Sequence, residues 1–137
     1  VRSQLEEAEP HLRAADMLYV DVASIRKSEA PGNPLGSPNG FFAHELCQLT
    51  RYAGLSDKLS SIGFYEYDPS SDRQLLTAAT LAQAIWYFLD GFINRMNDLP
   101  KVKNRTFIKY TTTLKAGKHD LVFYKSKKSG RWWMEVT

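Results

Sequence analysis

The hydrophobic pattern of the chain alternates between strand-like and helix-like segments. Met17 to Val22 is a continuous apolar run, which is typical of a strand buried on both faces of a parallel sheet. Phe42, Leu46, Leu49 and Ala53 then recur at the spacing of one helix face. The same reasoning predicts helices over 9–15 and 77–96, and strands over 61–67, 106–114, 121–126 and 131–136.

The order strand, helix, strand, helix over residues 17–96 is that of a parallel βαβ unit. We therefore predict an α/β fold with three layers, αβα, around a mainly parallel sheet. Turn residues at 127–130 join the last two strands, which predicts a C-terminal β-hairpin. We divide the chain accordingly into residues 1–100, the α/β part, and residues 101–137, a basic hairpin extension of the same domain.

Two acidic residues close the two predicted strands of the α/β part, Asp21 and Glu66, and each is followed by a loop. Ligands of parallel sheets bind beyond the carboxyl ends of the strands, so both are candidate site residues, although acids also close strands without any function. The long loop 23–40 adds Asn33 and Asn39 as candidate substrate contacts. Asparagine is equally a turn residue, and Asn39 is placed to cap the next helix.

The charge of the chain is distributed unevenly. The net charge is +3, but residues 1–100 carry 8 basic and 13 acidic side chains, whereas residues 101–137 carry 10 basic and 2 acidic ones. The tail interleaves basic with aromatic residues, a combination that binds single-stranded nucleic acid. Alternate residues of a hairpin face a core, however, so we expect these aromatic side chains to pack and expect no nucleic-acid partner.

The 137 residues, 43% hydrophobic and 24% charged, are enough for a compact soluble domain. The longest apolar block, Ala78 to Phe92, is interrupted by Gln83 and Asp90 and is shorter than a membrane span, so we expect no membrane partner. A single cysteine, Cys47, excludes an internal disulfide and fits a cytoplasmic location. The chain starts at Val1 and stops at Thr137, directly after a predicted strand, so we expect a piece of a longer protein.

Three stretches stand in an order and spacing shared with a known family. They read ADMLYVDVASIRKSEAPGNPLGSPNGF (15–41), SSIGFYEYDPSSD (60–72) and LTAATLAQAIWYFLDGF (76–92). They resemble a strand with its Pro/Gly loop, a later strand that ends in Glu, and the following helix in the C-terminal half of the ureohydrolases: arginase, agmatinase and formimidoylglutamase. The formimidoylglutamase branch is the most similar. The resemblance covers roughly residues 10–96 and implies a hydrolase of amino-acid catabolism with a small-molecule substrate.

The resemblance also implies a binuclear Mn²⁺ site, with hard oxygen and imidazole ligands around two cations. Asp21 stands at the first carboxylate ligand of the family motif, but the second position is Ala23, and Arg26 occupies the place of a following Asp. The upstream histidine and aspartate ligands of the family have no counterpart in this sequence. Glu66 matches the acidic residue that recognises the cationic end of the substrate.

Two functions are therefore predicted, and the sequence leaves both open. The chain is a fragment of a metal-dependent hydrolase of linear amidines or guanidines, or a catalytically inactive relative with a binding or structural role. No residue of this chain is assigned a catalytic role. The choice among arginine, agmatine, formiminoglutamate and related substrates, and the existence of a homo-oligomer, stay open as well.

Overall fold

The computed structural model describes residues 4–100, 106–113 and 120–135, and they divide into two compact units between Arg95 and Met96. The first unit contains α1 (Glu9–Ala14), β1 (Met17–Asp21), α2 (Ala43–Gly54), β2 (Ser61–Tyr65) and α3 (Leu76–Ile93). The second contains β3 (Phe107–Thr113), β4 (Asp120–Ser126) and β5 (Trp132–Met134). Short 3-10 turns cover Leu5–Ala8, Val22–Ser24 and Pro69–Ser71. The predicted strand ends at 114 and 136 lie outside the described residues.

The first unit is built on a parallel pair of strands. β1 and β2 run side by side, with Met17 opposite Ser61 and Asp21 opposite Tyr65. Alternate side chains of a strand point to opposite faces, so one face carries Leu18, Val20 and Phe64. This face packs against the core, whose further members are Val22, Ile25, Ala30, Leu46, Leu81, Ala84 and Tyr67. The first unit is therefore α/β, as predicted.

The opposite face of this sheet is open in the described part of the chain. Met17, Tyr19 and Tyr65 are 54%, 53% and 43% exposed. Parallel sheets normally have both faces covered. The predicted three-layer αβα arrangement is thus confirmed only in part, because the described residues supply helices to one face of a two-stranded parallel sheet.

Helix α2 begins later than the sequence suggests. An isolated bridge pairs Ile25 with Phe41, so the chain is still extended at Phe41, and the helix starts at Ala43. The carboxylate of Glu45 accepts a hydrogen bond from the Phe42 N–H at 2.8 Å and so satisfies one donor at the helix start. The prediction that Asn39 caps this helix is therefore wrong.

Helix α3 packs closely on α2. A Cβ atom on Gly54 would lie 2.1 Å from the carbonyl oxygen of Phe88, so only glycine allows this approach. With 18 residues, α3 is longer than the predicted apolar block, and by length and composition it could cross a membrane. The prediction that this segment is too short for a span is wrong. Helix α3 packs against α2, but only 33% of its apolar window is buried in the described part of the chain, and the expectation of no membrane partner stays a prediction.

The second unit is a three-stranded antiparallel sheet in the order β3, β4, β5. The predicted hairpin of β4 and β5 is present, with Gly130 at a φ of 73° in its turn. Aromatic rings pair on both faces of the sheet. Phe107 contacts Trp133 on one face, and Tyr110 contacts Trp132 on the other, with ring centroids 5.6 and 5.0 Å apart.

Candidate functional site

The two candidate carboxylates lie at the same edge of the parallel sheet. Asp21 is the last residue of β1 and stands opposite Tyr65, the last residue of β2, so Glu66 follows directly. This is the carboxyl edge, where parallel sheets bind ligands. The structure thus brings the side chains of Asp21 and Glu66 to adjacent strand ends, and their roles remain predictions.

The carboxylate of Asp21 is engaged in a local turn. Its Oδ1 accepts a hydrogen bond from the N–H of Ala23 at 2.8 Å, and the Ser24 hydroxyl donates to the Asp21 carbonyl at 2.6 Å. Short polar side chains often close such turns. The strand ends at Asp21 and the 3-10 turn Val22–Ser24 follows, so strand alternation does not place residues 21 and 23 on one side.

Arg26 is turned onto an aromatic ring. Its guanidinium carbon lies 3.5 Å from the centroid of the Phe42 ring, which is a close cation–π contact. The buried Nε of Arg26 has no hydrogen-bond partner among the described residues. The positive charge that occupies the family's aspartate position is therefore held by Phe42.

Glu66 is presented to solvent by an unusual backbone conformation. Its φ is 62°, in the left-handed region that residues other than glycine rarely adopt. The carbonyl oxygen of Glu66 accepts a hydrogen bond at 2.8 Å from the side-chain nitrogen of Asn33. Glu66 is exposed. The carboxylate at the end of β2 is thus directed outward.

The two loop asparagines occupy different environments. Asn33 is only 1% exposed, and besides its bond to Glu66 its Oδ1 accepts from the Leu35 N–H at 2.8 Å. This placement does not support a direct contact between Asn33 and a substrate. Asn39 is exposed, and among the described hydrogen bonds its backbone N–H donates to the Ser37 hydroxyl. No described hydrogen bond joins the Asn39 side chain to Asp21 or Glu66.

A tyrosine pair beside the two carboxylates was not predicted from the sequence. The rings of Tyr19 and Tyr65 stack with centroids 4.2 Å apart and planes inclined by 11°. Gly63 makes room for this stack, since a Cβ there would lie 2.5 Å from the Tyr65 ring. The signal in the sequence is the alternation itself, which puts residues 19, 21, 63 and 65 on one face.

The Tyr19 hydroxyl is affected by the nearby negative charge. Partial burial raises the pKa of the Tyr19 hydroxyl, and the charges of Asp21 and Glu66 raise it further. Tyr19 therefore stays neutral over the physiological range. The site at this edge consists of two stacked aromatic rings with two carboxylates close to them.

A buried carboxylate supports the segment that follows Glu66. Asp72, 1% exposed, accepts hydrogen bonds from the N–H groups of Thr77 and Ala78 at the start of α3 and from the Tyr67 hydroxyl. Burial opposes ionisation of Asp72, but the bonds from Ala78, Thr77 and Tyr67 together outweigh it and hold its pKa below the ordinary value. This residue was also missed in the sequence.

Comparison with known proteins gives relatives that cover part of the chain. No protein-family model matches it. Formimidoylglutamase of Bacillus subtilis (strain 168) is 29% identical over 74 residues, which cover 54% of this chain and 23% of that protein. The crystal structure of the Bacillus subtilis enzyme aligns with a TM-score of 0.56 at 26% identity, over 58% of this chain and 25% of that chain.

Two further structures share the fold at 22% identity. Trypanosoma cruzi formiminoglutamase, solved with Mn²⁺, aligns with a TM-score of 0.59 over 68% of this chain and 32% of that chain. Arginase from Bacillus subtilis aligns with a TM-score of 0.56 over 64% of this chain and 32% of that chain. This chain spans between 23% and 32% of the length of these proteins. The predicted resemblance is thereby confirmed: part of this chain is similar to formimidoylglutamase, and it shares its fold with solved structures of the arginase superfamily.

Proposed function

We propose that this chain supplies the part of a formimidoylglutamase- or arginase-like hydrolase that recognises the cationic group of a linear amidine or guanidine. The observation that supports this proposal best is the outward-facing Glu66 at the carboxyl edge of the sheet, beside stacked Tyr19 and Tyr65. The similarity to formimidoylglutamase supports the substrate class.

The chemistry of these groups suits a planar cation. An amidinium or guanidinium donates N–H hydrogen bonds in a plane, and a carboxylate such as Glu66 accepts them with the added strength of opposite charge. The face of an aromatic ring attracts the same cation through its quadrupole. Asp21 has one carboxylate oxygen outside its turn and adds negative charge to the same edge.

The described residues do not fit the binuclear Mn²⁺ site of the family. They contain no group of three or more His, Cys, Asp or Glu side chains that could hold a metal ion. Asp21 is the one carboxylate of the family motif that is kept, and Ala23 has no ligand atom. Hydrolysis that depends on Mn²⁺ therefore needs ligands from outside the described residues, and no reaction step is assigned to this part of the chain.

A catalytically inactive relative is the second candidate function. It is favoured by the replacement of the second carboxylate by Ala23 and by the use of Asp21 Oδ1 to bind the Ala23 N–H. Both candidates keep the cation-recognition role of Glu66. They differ in whether product is released from a bound amidine or guanidine by the Mn²⁺-loaded full-length protein.

The finer features of the fold and location belong to the same proposal. We expect a third layer to cover the open sheet face around Met17, with the Tyr19 and Tyr65 rings at the mouth of the crevice. That layer would complete a mainly parallel sheet of a three-layer αβα fold. The location we propose is the cytoplasm.

The proposal is tested by calorimetric titration of the full-length protein with agmatine, arginine and formiminoglutamate. Glu66→Gln removes the charge but keeps the shape, and we expect its affinity for the best of these ligands to fall by about tenfold or more. Asp16→Asn is the matched control, because Asp16 is an exposed acid at the opposite end of β1, paired with Lys58. Equal affinities for the wild type and Glu66→Gln would contradict the proposal.

A further inference from the structure

The backbone of Glu66 needs support from outside its own strand. A φ of 62° is costly for a residue with a Cβ atom. Among the described residues, only Leu75 and Asn97 share a positive φ without being glycine. Such conformations persist where the surrounding structure fixes them.

The support comes from the loop 23–40. The buried side-chain amide of Asn33 donates to the Glu66 carbonyl, and its other end accepts from the Leu35 N–H. The main-chain carbonyl of Asn33 accepts from the Lys27 ammonium and from the Gly36 N–H. Asn33 itself is 1% exposed, so water competes little for its polar atoms at this end of the bonds.

Gly32 connects the same loop to Asp68 and to Thr77 in the first turn of α3. Its carbonyl accepts from the Asp68 N–H at 2.7 Å, and its N–H donates to the Thr77 hydroxyl at 2.7 Å. Gly32 and Asn33 are thus hydrogen-bonded to the backbone of Asp68 and Glu66. These bonds fix the turn that carries Glu66 to the loop 23–40.

The conformation of Glu66 decides where its carboxylate points. If β2 continued as a strand, residue 66 would share the face of Phe64, which packs against the core. The left-handed conformation ends the strand at Tyr65 and leaves Glu66 exposed. The charge of Glu66 is felt at Tyr19, which lies on the other face.

We propose that Asn33 is a positioning residue, whose side-chain amide holds the Glu66 backbone in the left-handed conformation and so directs the carboxylate towards the cationic group of the ligand. This inference rests on the proposed function, in which the Glu66 carboxylate binds the cationic group of the ligand. It replaces the earlier interpretation of Asn33 as a substrate contact.

The test uses Asn33→Ser in the full-length protein. A serine hydroxyl can still accept from the Leu35 N–H, but it is too short to reach the Glu66 carbonyl. The hydrogen bond to Glu66 is therefore the one that is lost. We expect the affinity for agmatine to fall about tenfold, as in Glu66→Gln, and the double variant to show little further loss. Thr50→Val is the matched control. It removes a buried side-chain hydrogen bond within α2, to the Cys47 carbonyl, and should keep agmatine affinity within about twofold.

A second readout needs no ligand. Glycine adopts a positive φ freely. In a Glu66→Gly background, the hydrogen bond from Asn33 is therefore not needed to stabilise a strained backbone at residue 66. We expect Asn33→Ser to lower the melting temperature less in that background than in the wild type. The inference is overturned if the two losses are equal, or if Asn33→Ser binds agmatine like the wild type while Glu66→Gln is weakened. If Glu66→Gln also binds like the wild type, the proposed function itself has failed.

Discussion

The two strands of the parallel sheet each end in a carboxylate, and the two ends are built differently. At the end of β1, Asp21 folds back and accepts a hydrogen bond from the N–H of Ala23. At the end of β2, Glu66 adopts a left-handed conformation and is exposed, while Asn33 holds its backbone. The same edge thus carries one carboxylate that is used by its own turn and one that is exposed to solvent.

The difference shows how neighbouring residues determine what an acidic side chain does. Aspartate has a short side chain and is followed here by small residues, so it closes a turn with its own backbone. Glutamate is one methylene longer, and the backbone of Glu66 is held by Asn33 from the loop 23–40. Its side chain is exposed to solvent. In the proposed function, the described residues supply the part of a ureohydrolase-like site that recognises the cation, and they contain no cluster that could hold the metal.

The largest effect is expected from removing the support behind the β2 end. Asp72→Ala leaves the buried N–H groups of Thr77 and Ala78 without their acceptor, and we expect the melting temperature to fall by roughly 5–10 °C. Asp16→Asn is the control and should change it by less than about 1 °C. An unchanged melting temperature in Asp72→Ala would show that the β2 end does not depend on this carboxylate.

The same residue gives a pH dependence. Because the pKa of Asp72 is lowered in the folded state, its contribution to stability is present above the ordinary carboxyl pKa of 3.8 and is lost as the pH falls through the lowered value. Wild-type melting temperature should therefore fall more steeply on acidification below that pKa than the melting temperature of Asp72→Ala.

A smaller effect is expected from the aromatic pair. Tyr65→Leu keeps an apolar side chain but removes the ring that stacks on Tyr19, and we expect agmatine affinity to fall about two- to fivefold. Tyr52→Leu is the control, since Tyr52 lies on α2 and its hydroxyl bonds to Gln48. If both variants bind like the wild type, the rings take no part in recognition.

The β1 end is expected to contribute still less to binding. Asp21→Asn retains an oxygen that can accept from the Ala23 N–H, so the turn should survive while the charge is lost. We expect agmatine affinity to fall about two- to threefold, well below the loss in Glu66→Gln. A loss as large as that of Glu66→Gln would show that Asp21 and Glu66 contribute equally to binding, and would contradict the difference between the two strand ends.

The smallest effect is expected at residue 23. Ala23 lies in a 3-10 turn, so we expect Ala23→Asp to leave the Mn²⁺ content of the loaded and desalted protein at the wild-type level. Elemental analysis measures this content directly. A gain to about two Mn²⁺ per chain would show that the β1 end is a degraded metal site that one carboxylate restores.

Periodicity predicted the elements of the first unit because their side chains alternate between core and solvent. The run from Met17, the helical spacing from Phe42 and the strand from Ser61 all lie within a residue or two of the observed β1, α2 and β2. The start of α2 was misplaced because the bridge between Ile25 and Phe41 is a tertiary contact. The third layer stays a prediction, because the described residues place helices on only one face of the parallel sheet.

The candidate site was predicted only in its acidic residues. Strand ends and sequence order pointed to Asp21 and Glu66, but the orientation of each carboxylate depends on backbone angles that no pattern reports. The buried role of Asn33 arises from a contact between distant segments, and the network around Asp72 depends on how the chain folds back between Tyr67 and Ala78. The alternation of the two strands could have predicted that Tyr19 and Tyr65 share a face, and the absence of a side chain at Gly63 indicated space for their rings.

We propose that the β2 end recognises a planar cation without the help of a metal. The affinity of the full-length protein for agmatine after EDTA treatment, compared with its affinity after Mn²⁺ loading, measures this most directly. We expect the two affinities to agree within about threefold. Binding that appears only after Mn²⁺ loading would contradict it, because recognition would then depend on ligands that this part of the chain does not provide.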